Sequence, residues 1–417
     1  MPHISDLPNE VLGLILQLAA KSYPGYLVHR LQRSRSIRQL RLVCRRWEHW
    51  LTERHLYSEL YFWKGTSAMR FIINEISRSR LPFSHVRPKC QVLWIEHFCT
   101  GGAMANVEHD MVTPSMLEAL IALFYDTIVE LHLGFINNLS LPASTIEAIR
   151  RIENLRTLRL GFKSYRESGE SPADDGDITH HHGLDSFCSL LGAAPGLKCL
   201  DFAGIKSSDL PEILESDLDH IKLENITHLV IESSAPAHRI INIASRLKSS
   251  LKMLSIDISP SDDCRDLLPI LKTLEDKLEG LSMEHANVLN SIVHLKFSAL
   301  RLLHITYLDG CLTDCLNLDM FSYAPIEILV LGGDYLGDQK ANNPAFLVDA
   351  FARFPALRRL VFNKVDPGFT APDIYVRACQ EHQVEILYRA RQDLPELMVS
   401  QEKYHTQPHS EPSTKTD

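Results

Sequence analysis

Leu155-Arg-Thr-Leu158-Arg-Leu160 and Leu300-Arg-Leu-Leu303-His-Ile305 are two copies of a short pattern that recurs through most of this 417-residue chain. Each copy reads apolar-x-x-Leu-x-apolar, and nine clear copies have their central leucines at positions 131, 158, 200, 229, 254, 281, 303, 329 and 360. Three weaker copies contain Leu60, Leu93 and Leu387. Because alternate side chains of a strand point to opposite faces, the Leu-x-apolar pair predicts a β-strand with one buried face.

Helical stretches separate these predicted strands. The clearest are Ser115–Phe124, Leu184–Leu191, Arg239–Leu247, Cys264–Leu274, Pro344–Phe354 and Pro372–His382. Several run into a proline turn before the next strand, since proline cannot continue a helix. One strand and one helix in every ~20–29 residues predicts an α/β solenoid whose strands form a parallel inner sheet.

The repeats resemble leucine-rich repeats over about residues 56 to 390. The resemblance implies an irregular, horseshoe-shaped solenoid, although the copies mostly lack the asparagine that follows the strand in that family. An ordinary doubly wound α/β sheet is the alternative fold. It would show longer all-apolar strands and a phosphate-binding glycine turn, and the sequence has neither.

In a stacked solenoid, side chains that alternate with the buried pair lie on the concave face of the sheet. The residues expected there are Glu130, His132, Arg159, Asp201, His228, Glu232, Asp257, Glu284, His304 and Thr306. They predict a mostly polar strip that is more acidic towards the middle repeats. The candidate target-binding residues are His132, Arg159, Asp201, Glu232, Asp257, Glu284 and His304, and a merely solvated sheet face is the alternative at each of them.

Residues 1–63 form a unit of opposite charge. They hold nine Lys/Arg and five Asp/Glu, a net charge of +4, whereas the other 354 residues carry −13, which gives −9 for the chain. Pro8 and Glu10 are typical of a first helical turn, and an apolar stripe follows at Val11, Leu14, Ile15 and Leu18. A second amphipathic helix is predicted over residues 37–51. Two helices of this size bury too little surface to be stable alone.

These two helices resemble an F-box. The resemblance rests on Leu7-Pro8-x-Glu10-Val11 with Leu14-Ile15, then Leu40-x-Leu42-Val43-Cys44-Arg45-Arg46-Trp47, then Leu56-Tyr57. In that family the motif is a helical hook that docks on the SKP adaptor of SCF-type (Skp–cullin–F-box) ubiquitin ligases. The adaptor-binding residues that the resemblance implies are Leu7, Pro8, Val11, Ile15, Leu40, Val43, Cys44 and Trp47.

The chain departs from that family in one respect. Residues 19–36 add roughly a dozen residues between the two helical blocks, an insertion that costs little free energy in a loop. The alternative interpretation is that the two helices only cap the N-terminal end of the solenoid. A basic helix face could also bind nucleic acid, but the head lacks the interleaved aromatic side chains that such binding favours. A solvated face, or one complementary to an acidic protein partner, is expected instead.

Two segments stand outside the repeats. Residues from about 163 to 183 form an acidic loop insertion that contains His180-His181-His182. Adjacent histidines in a loop cannot present a fixed tetrahedral set, so no metal site is predicted. Residues 396–417 are polar and are predicted to be a disordered tail. The predicted domains are therefore residues 1–63, residues 64–395 and this tail.

Composition excludes several classes of protein. The net charge of −9 argues against nucleic-acid binding, and no apolar run approaches the ~20 residues that span a bilayer. The nine cysteines are irregularly spaced, which favours a reducing, cytoplasmic and/or nuclear location. No phosphate-binding loop, serine elbow or zinc-protease motif is present, so we expect a non-catalytic chain without a cofactor.

Together, the two resemblances imply the substrate-recognition subunit of an SCF-type ubiquitin ligase. The head would bind the SKP adaptor, and through it a cullin, while the repeats would bind a target protein whose identity the sequence does not give. A leucine-rich-repeat scaffold that acts outside a cullin ligase is the alternative. An enzyme built on the repeats is a third and weaker one.

Overall fold

The structure, a computed structural model, describes residues 8, 11–15, 39–40, 42–79, 87–100, 110–136, 138–162, 183–205, 210–232, 237–257, 264–286, 289–307, 312–332, 344–363, 365, 368–389, 394 and 397. Across these segments, twelve parallel strands form one sheet in which each strand pairs with the next along the chain. Helices alternate with the strands, so the predicted α/β solenoid with a parallel sheet is confirmed at the level of fold class.

Each strand coincides with one of the twelve repeat copies. The strands are β1 (Glu59–Phe62), β2 (Val92–Phe98), β3 (Glu130–Phe135), β4 (Thr157–Phe162), β5 (Cys199–Asp201), β6 (His228–Glu232), β7 (Met253–Asp257), β8 (Gly280–His285), β9 (Leu302–Tyr307), β10 (Ile328–Gly332), β11 (Arg359–Asn363) and β12 (Glu385–Arg389). Because β1 pairs with β2, the sheet begins within the residues 1–63 that we assigned to the head.

The central leucines of the repeats form one continuous ladder across the sheet. Leu131 pairs with Leu158, Leu158 with Leu200, and the same pairing continues through Leu360. From Leu93 to Leu360 each of these leucines is at most 1% exposed. Burial of one such side chain contributes about 1.5–3 kcal/mol, so this ladder and the helices packed on it make up the main core.

The last repeat differs from the prediction by one residue. Ile386, not Leu387, pairs with Leu360 in the ladder, and Leu387 pairs with Val361. A shift of one residue moves a side chain to the opposite face of the sheet. Leu387 therefore lies on the face turned away from the helices.

The helices cover one face of the sheet. After the head helix α1 (Arg45–Leu51) they are α2 (Gly65–Ser79), α3 (Pro114–Phe124), α4 (Ala143–Arg150), α5 (Leu184–Ala193), α6 (Ala237–Leu247), α7 (Leu268–Leu274), α8 (Leu289–Ile292), α9 (Leu312–Leu316), α10 (Pro344–Ala352) and α11 (Asp373–Glu381). The predicted helix Cys264–Leu274 is a 3₁₀ turn, Cys264–Leu267, followed by α7. Pro269 lies at the start of α7, where its missing N–H is tolerated.

The head has a small core of its own. Leu12, Trp47 and Leu51 are buried together, and Leu40 and Trp50 pack against them. A π-helix, Thr52–Leu56, continues α1 towards β1. The carbonyl of Ser58 accepts hydrogen bonds from the backbone N–H groups of residues 91 and 92, which ties the end of the head to the second repeat.

The second head helix is interrupted, whereas the sequence predicted a continuous helix over residues 37–51. The N–H of Leu42 bonds to Gln39 and that of Val43 to Leu40, so this turn closes with three-residue steps. Cys44 has extended backbone, with φ −160° and ψ 164°, and acts as the N-cap of α1. Because the backbone is extended at Cys44, Val43 and Cys44 are exposed and lie outside the head core.

None of the helices in the described segments combines the length and the apolar character that crossing a bilayer requires.

Candidate functional site

The structure offers two candidate sites, and the first is a set of exposed apolar side chains on the head. Val11, Leu14 and Ile15 lie on the helical residues 11–15, and Leu42 and Val43 lie in the turn before α1. All five are exposed, with Leu14 60% and Leu42 77% exposed. We call these five residues the head face. Exposed apolar side chains in such a group mark interaction surfaces more often than ordinary protein surface.

The structure places the predicted adaptor-binding residues unequally. Pro8, Val11, Ile15, Val43 and Cys44 are exposed, whereas Leu40 is half-buried. Trp47 is 7% exposed and belongs to the head core, so its ring stabilises the fold of the head and offers a partner little surface. Leu7 lies outside the described residues. The prediction omitted Leu14 and Leu42, although both stand within the two motif strings that carried the resemblance.

The second surface is the sheet face turned away from the helices, which we call the inner face. The strand register places the seven candidate target-binding residues on it. His132, Arg159 and Asp201 are successive partners on β3, β4 and β5. Glu232 pairs with Asp257 on β6 and β7, and Glu284 follows on β8. His304 lies opposite Ser282 on β8 and β9.

An aromatic and ionic cluster occupies the inner face of β2 to β5. The rings of Trp94 and His132 stack with centroids 4.1 Å apart, and the Arg159 guanidinium lies 5.5 Å from the Trp94 ring centroid. The other side of Arg159 faces Asp201, with Nε 3.4 Å from the carboxylate. The carboxylate of Glu130 lies 3.4 Å from Nε2 of His132. This arrangement presents a flat, polarisable surface with a fixed cation.

Trp94 was not among the residues predicted for the inner face. Its repeat copy, Leu93-Trp-Ile95, was recognised as a strand. The residue directly after the central leucine of a copy lies on the inner face. Applying that alternation to the weak copies would have found Trp94. The Trp94 indole N–H also donates to Glu96, at 2.9 Å, which fixes the orientation of the ring.

Asp201 is the most perturbed carboxylate of this cluster. Burial raises its pKa, and the charge of Asp257 adds to the rise. The Arg159 guanidinium, the backbone N–H of Ala203 and His132 partly offset it. The Ala203 N–H donates to the Asp201 carboxylate at 2.8 Å. Arg159 is therefore the main charge that opposes the rise in the pKa of Asp201 on a dry part of the sheet.

Buried histidines bonded to hydroxyl groups occupy the inner face further along. Nε2 of His228 lies 2.8 Å from Oγ of Ser255, and Nδ1 of His304 lies 2.8 Å from Oγ of Ser282. Burial lowers the pKa of His228 to about 4, so its ring is neutral at pH 7. His132 and His304 are also buried, so these two candidates offer little ring surface to a partner.

The acidic residues of the middle repeats form a row at the carboxyl ends of their strands. Glu232 and Asp257 are direct register partners, and Glu284 is next to Asp257 on β8. Like charges on adjacent strands repel one another and are tolerated where water or a partner screens them. Asp257 is exposed, and the Glu232 carboxylate accepts a hydrogen bond from the N–H of Gly204 at 2.7 Å.

The inner face also carries apolar residues, which were not among those predicted for the mostly polar strip. Met253, Leu302, Ile328, Val330 and Val361 form a buried cluster on it, and we call these five residues the apolar patch. Each is at most 2% exposed. Leu394 and Leu397, from the segment after β12, pack on this cluster together with Leu387. Alternation does not separate core from surface at β10, because this strand is apolar and buried along its whole length.

Leu397 also bears on the predicted domain boundary. We placed the end of the solenoid at residue 395 and a disordered tail over 396–417. Leu397 is 5% exposed, and the boundary at residue 395 stays a prediction. The remainder of the predicted tail and the acidic loop over residues 163–182 lie outside the described residues.

Four cysteines of the described segments have raised thiol pKa values. Burial raises the pKa of Cys90, Cys315 and Cys379 to about 12 and that of Cys188 to about 11, so these thiols stay protonated at neutral pH. Within those same parts, no three His, Cys, Asp or Glu side chains group as metal ligands. Residues 180–182 and Cys311 lie outside the described residues.

Comparison of the sequence with protein-family models gives no match, and a search of curated proteins finds no significant match either.

Proposed function

We propose that this protein is the substrate-recognition subunit of an SCF-type ubiquitin ligase, in which the head is an F-box and the solenoid is built of leucine-rich repeats. The head docks the SKP adaptor, and the inner face of the repeats binds the target protein. The observation that carries the proposal is the head face. Its five apolar side chains stay exposed directly beside a core that buries Leu12, Trp47 and Leu51.

The division of the head into a core and an exposed face supports docking over simple capping. A cap on the end of the solenoid would turn its apolar stripe towards the repeats. Here Leu14 and Leu42 point to solvent, although the head is already joined to the repeats through Ser58 and through a 3.1 Å ion pair between Lys89 and Glu53. A partner protein that covers the head face would remove these leucines from water, at about 25 cal/mol per Å².

The inner face supports the second half of the proposal. Arg159 and Trp94 offer a fixed cation on an aromatic ring, and Glu232 and Asp257 begin a row of carboxylates on the next strands. A target segment that carries an acidic or aromatic group beside basic residues would match this order of charges. Charge order of this kind contributes more to partner choice than to total affinity.

In this proposal the chain performs no bond chemistry. The head holds the protein on the adaptor, and so on a cullin, while the inner face holds the target. Lysines of the target then experience a high local concentration of the ubiquitin thioester. The rate gain is an effective-concentration effect, so it depends on geometry and on linkage through the adaptor.

Affinity purification of the tagged chain from its native cell, with and without proteasome inhibition, tests the proposal. We expect the adaptor, a cullin and ubiquitylated target to co-purify, and the adaptor and cullin to be lost from a Leu14→Asp/Leu42→Asp variant. Leu214→Asp is the matched control, because Leu214 is 56% exposed on the solenoid. Recovery of the adaptor without cullin would favour the scaffold function instead, and recovery of neither would reject the proposal.

A further inference from the structure

Arg159 is held in place on the inner face, yet part of its guanidinium has no partner. Its Nε lies 3.4 Å from the carboxylate of Asp201 on β5, and the guanidinium lies 5.5 Å from the ring centroid of Trp94, two strands away on the other side. Neither terminal NH₂ group of Arg159 makes a hydrogen bond to any described residue. Because the side chain is also 33% exposed, these two groups are open to a ligand.

A row of rings on β1 to β3 supports the guanidinium. The ring centroids of Tyr61 and Trp94 lie 6.0 Å apart, and His132 stacks on Trp94 with a centroid distance of 4.1 Å. His132 is 8% exposed, and its buried Nδ1 has no hydrogen-bond partner among the described residues. An unpaired buried polar atom costs free energy, so the ring is kept there for its packing under Trp94 and beside Arg159. The position of the guanidinium is therefore set before a partner binds, which lowers the cost of binding.

The charges around Arg159 decide which anion suits it. Asp201 on β5 and Glu130 on β3 place carboxyl groups on both neighbouring strands. One cation among two acidic side chains does not favour a phosphate, whose charge is about −1.5 to −2 at pH 7. A carboxylate carries a single charge, and its planar shape matches the two terminal NH₂ groups of a guanidinium.

We propose that Arg159 binds a single carboxylate of the target protein, and that Glu232 and Asp257 bind a basic side chain of the same target segment. The inference rests on the proposed function in identifying the bound protein as the ubiquitylation target. Asp257 is exposed, and its strand lies directly beside that of Glu232. The target is thus recognised by two opposite charges held at a fixed separation.

The strand register gives that separation. Arg159 pairs with Asp201 and Asp201 with Val230, so Glu232 lies two strands across from Arg159 and two residues further along. With about 4.8 Å between strands and about 3.3 Å per residue, the two Cα atoms are about 12 Å apart. An extended peptide covers that distance in about three or four residues. The preferred target segment therefore carries its acidic and basic residues about three or four positions apart.

Nuclear magnetic resonance of the Trp94 indole N–H tests the proposal in the full chain. The chain has four tryptophans, and the signal that Trp94→Phe removes belongs to the ring beside Arg159. The first probe is the peptide acetyl-Gly-Ser-Glu-Ser-Gly-Ser-Lys-Ser-Gly-amide, in which acid and base are four positions apart. Three further probes replace its glutamate by glutamine, by phosphoserine, or by a free C-terminal carboxylate placed four positions after the lysine.

We expect the glutamate peptide to shift the Trp94 signal saturably and the glutamine peptide to leave it in place. The phosphoserine peptide should bind at least about threefold more weakly than the glutamate peptide, because of the neighbouring carboxyl groups. Binding of the peptide with the free C-terminal carboxylate would identify a chain end as the source of the carboxylate. Binding of the glutamate peptide alone would identify a side chain.

Substitution of Arg159 should remove this binding. We expect Arg159→Gln to bind the carboxylate peptide at least about tenfold more weakly than the unmodified chain. Arg246→Gln is the matched control, because Arg246 also lies near an aspartate, 3.9 Å from Asp219, but belongs to α6. Circular dichroism checks the fold of Arg159→Gln. If it is unfolded, Arg159→Lys decides, since lysine keeps the charge without the planar pair of donors and should bind at least about fivefold more weakly.

Three results would overturn the inference. Neither carboxylate peptide could shift the Trp94 signal, the phosphoserine peptide could bind more tightly than both, or the folded Arg159 variant could bind as the unmodified chain does.

Adaptor binding, measured on the same proteins, separates this inference from the proposed function. Arg159→Gln keeps the head face intact, so it should bind the adaptor as the unmodified chain does. If the carboxylate peptides bind but neither protein binds the adaptor, the proposed ligase function is rejected and the carboxylate site stands. If both proteins bind the adaptor but no carboxylate peptide binds, only the carboxylate site is rejected.

Discussion

The guanidinium of Arg159 and the carboxylate of Asp201 lie 3.4 Å apart on neighbouring strands of the inner face. Asp201 is largely buried, whereas the side chain of Arg159 remains one-third exposed. Arg159 also lies 5.5 Å from the ring centroid of Trp94. One side chain therefore joins the aromatic end of the inner face to its acidic middle.

Replacing Arg159 by glutamine should destabilise the protein by about 1–2 kcal/mol, less than for a fully buried pair because Arg159 is partly solvated. The loss follows from leaving Asp201 charged without its main partner. Urea unfolding measures the cost, and Arg159→Gln/Asp201→Asn should recover most of it. A double variant no more stable than Arg159→Gln would show that the two residues are not coupled.

The same variant should be sensitive to pH in a defined direction. The folded-state pKa of Asp201 is already above its ordinary value of 3.8, and removing Arg159 raises it further. A raised carboxyl pKa means that stability is retained below about pH 4 and lost as the pH rises through the folded-state value. The deficit of Arg159→Gln should therefore be larger at pH 7 than at pH 4. An equal loss of stability at pH 4 and pH 7 would show that Asp201 is not the group whose titration causes it.

His228 should make the protein acid-sensitive. Its pKa falls from 6.5 to about 4 on burial, so the unfolded state takes up a proton at a higher pH than the folded state does. Stability is then complete above about pH 6.5 and declines by up to about 3 kcal/mol as the pH falls to about 4. Urea unfolding at pH 7 and pH 4.5 should show a smaller loss for His228→Gln than for the unmodified chain. An identical loss would place the titrating group elsewhere.

Substitution of Trp47 should destabilise the head without unfolding the repeats. Trp47→Ala removes the largest side chain of the head core and should cost about 3–5 kcal/mol of head stability. Hydrogen exchange of residues 42–56 should accelerate, while the strands β3 to β11 keep their protection. Trp63→Ala is the matched control, since Trp63 is 52% exposed. Unchanged exchange in Trp47→Ala would mean that the head does not depend on this core.

Two glycines give opposite predictions for the same substitution. A Cβ on Gly332 would overlap the carbonyl oxygen of Thr306 on the neighbouring strand β9, whereas a Cβ on Gly192 in α5 meets nothing within 4 Å. Gly332→Ala should therefore destabilise by about 1–3 kcal/mol, as over-packing does. Gly192→Ala should stabilise by about 0.4–1 kcal/mol. Similar urea midpoints for the two variants would contradict this packing of β9 against β10.

The repeat fold could be predicted because its signal is local and repeated. The first eleven strands each carry a leucine with an apolar residue two positions later, and period-two alternation follows directly from strand geometry. Eleven signals in the same phase outweigh any single irregular copy. That is why even β1 and β2, whose copies were faint, coincide with strands of the structure.

The structure differs from the sequence predictions where the local residue pattern and the tertiary environment disagree. Val43 and Cys44 have the spacing of a buried helical stripe, but the extended backbone of Cys44 turns them outward. Val330 and Val361 alternate with core residues of the other face, yet they are buried in one cluster with Leu397. Contacts between residues far apart in the sequence leave no period in it, so the burial of these two valines could not be predicted.

Calorimetric titration of purified SKP adaptor into the full chain measures whether the head face docks the adaptor. We expect saturable binding of one adaptor per chain, weakened at least about tenfold in Leu14→Asp/Leu42→Asp and unchanged in Leu214→Asp. Absence of binding by the unmodified chain, or equal binding by the Leu14→Asp/Leu42→Asp variant, would contradict it.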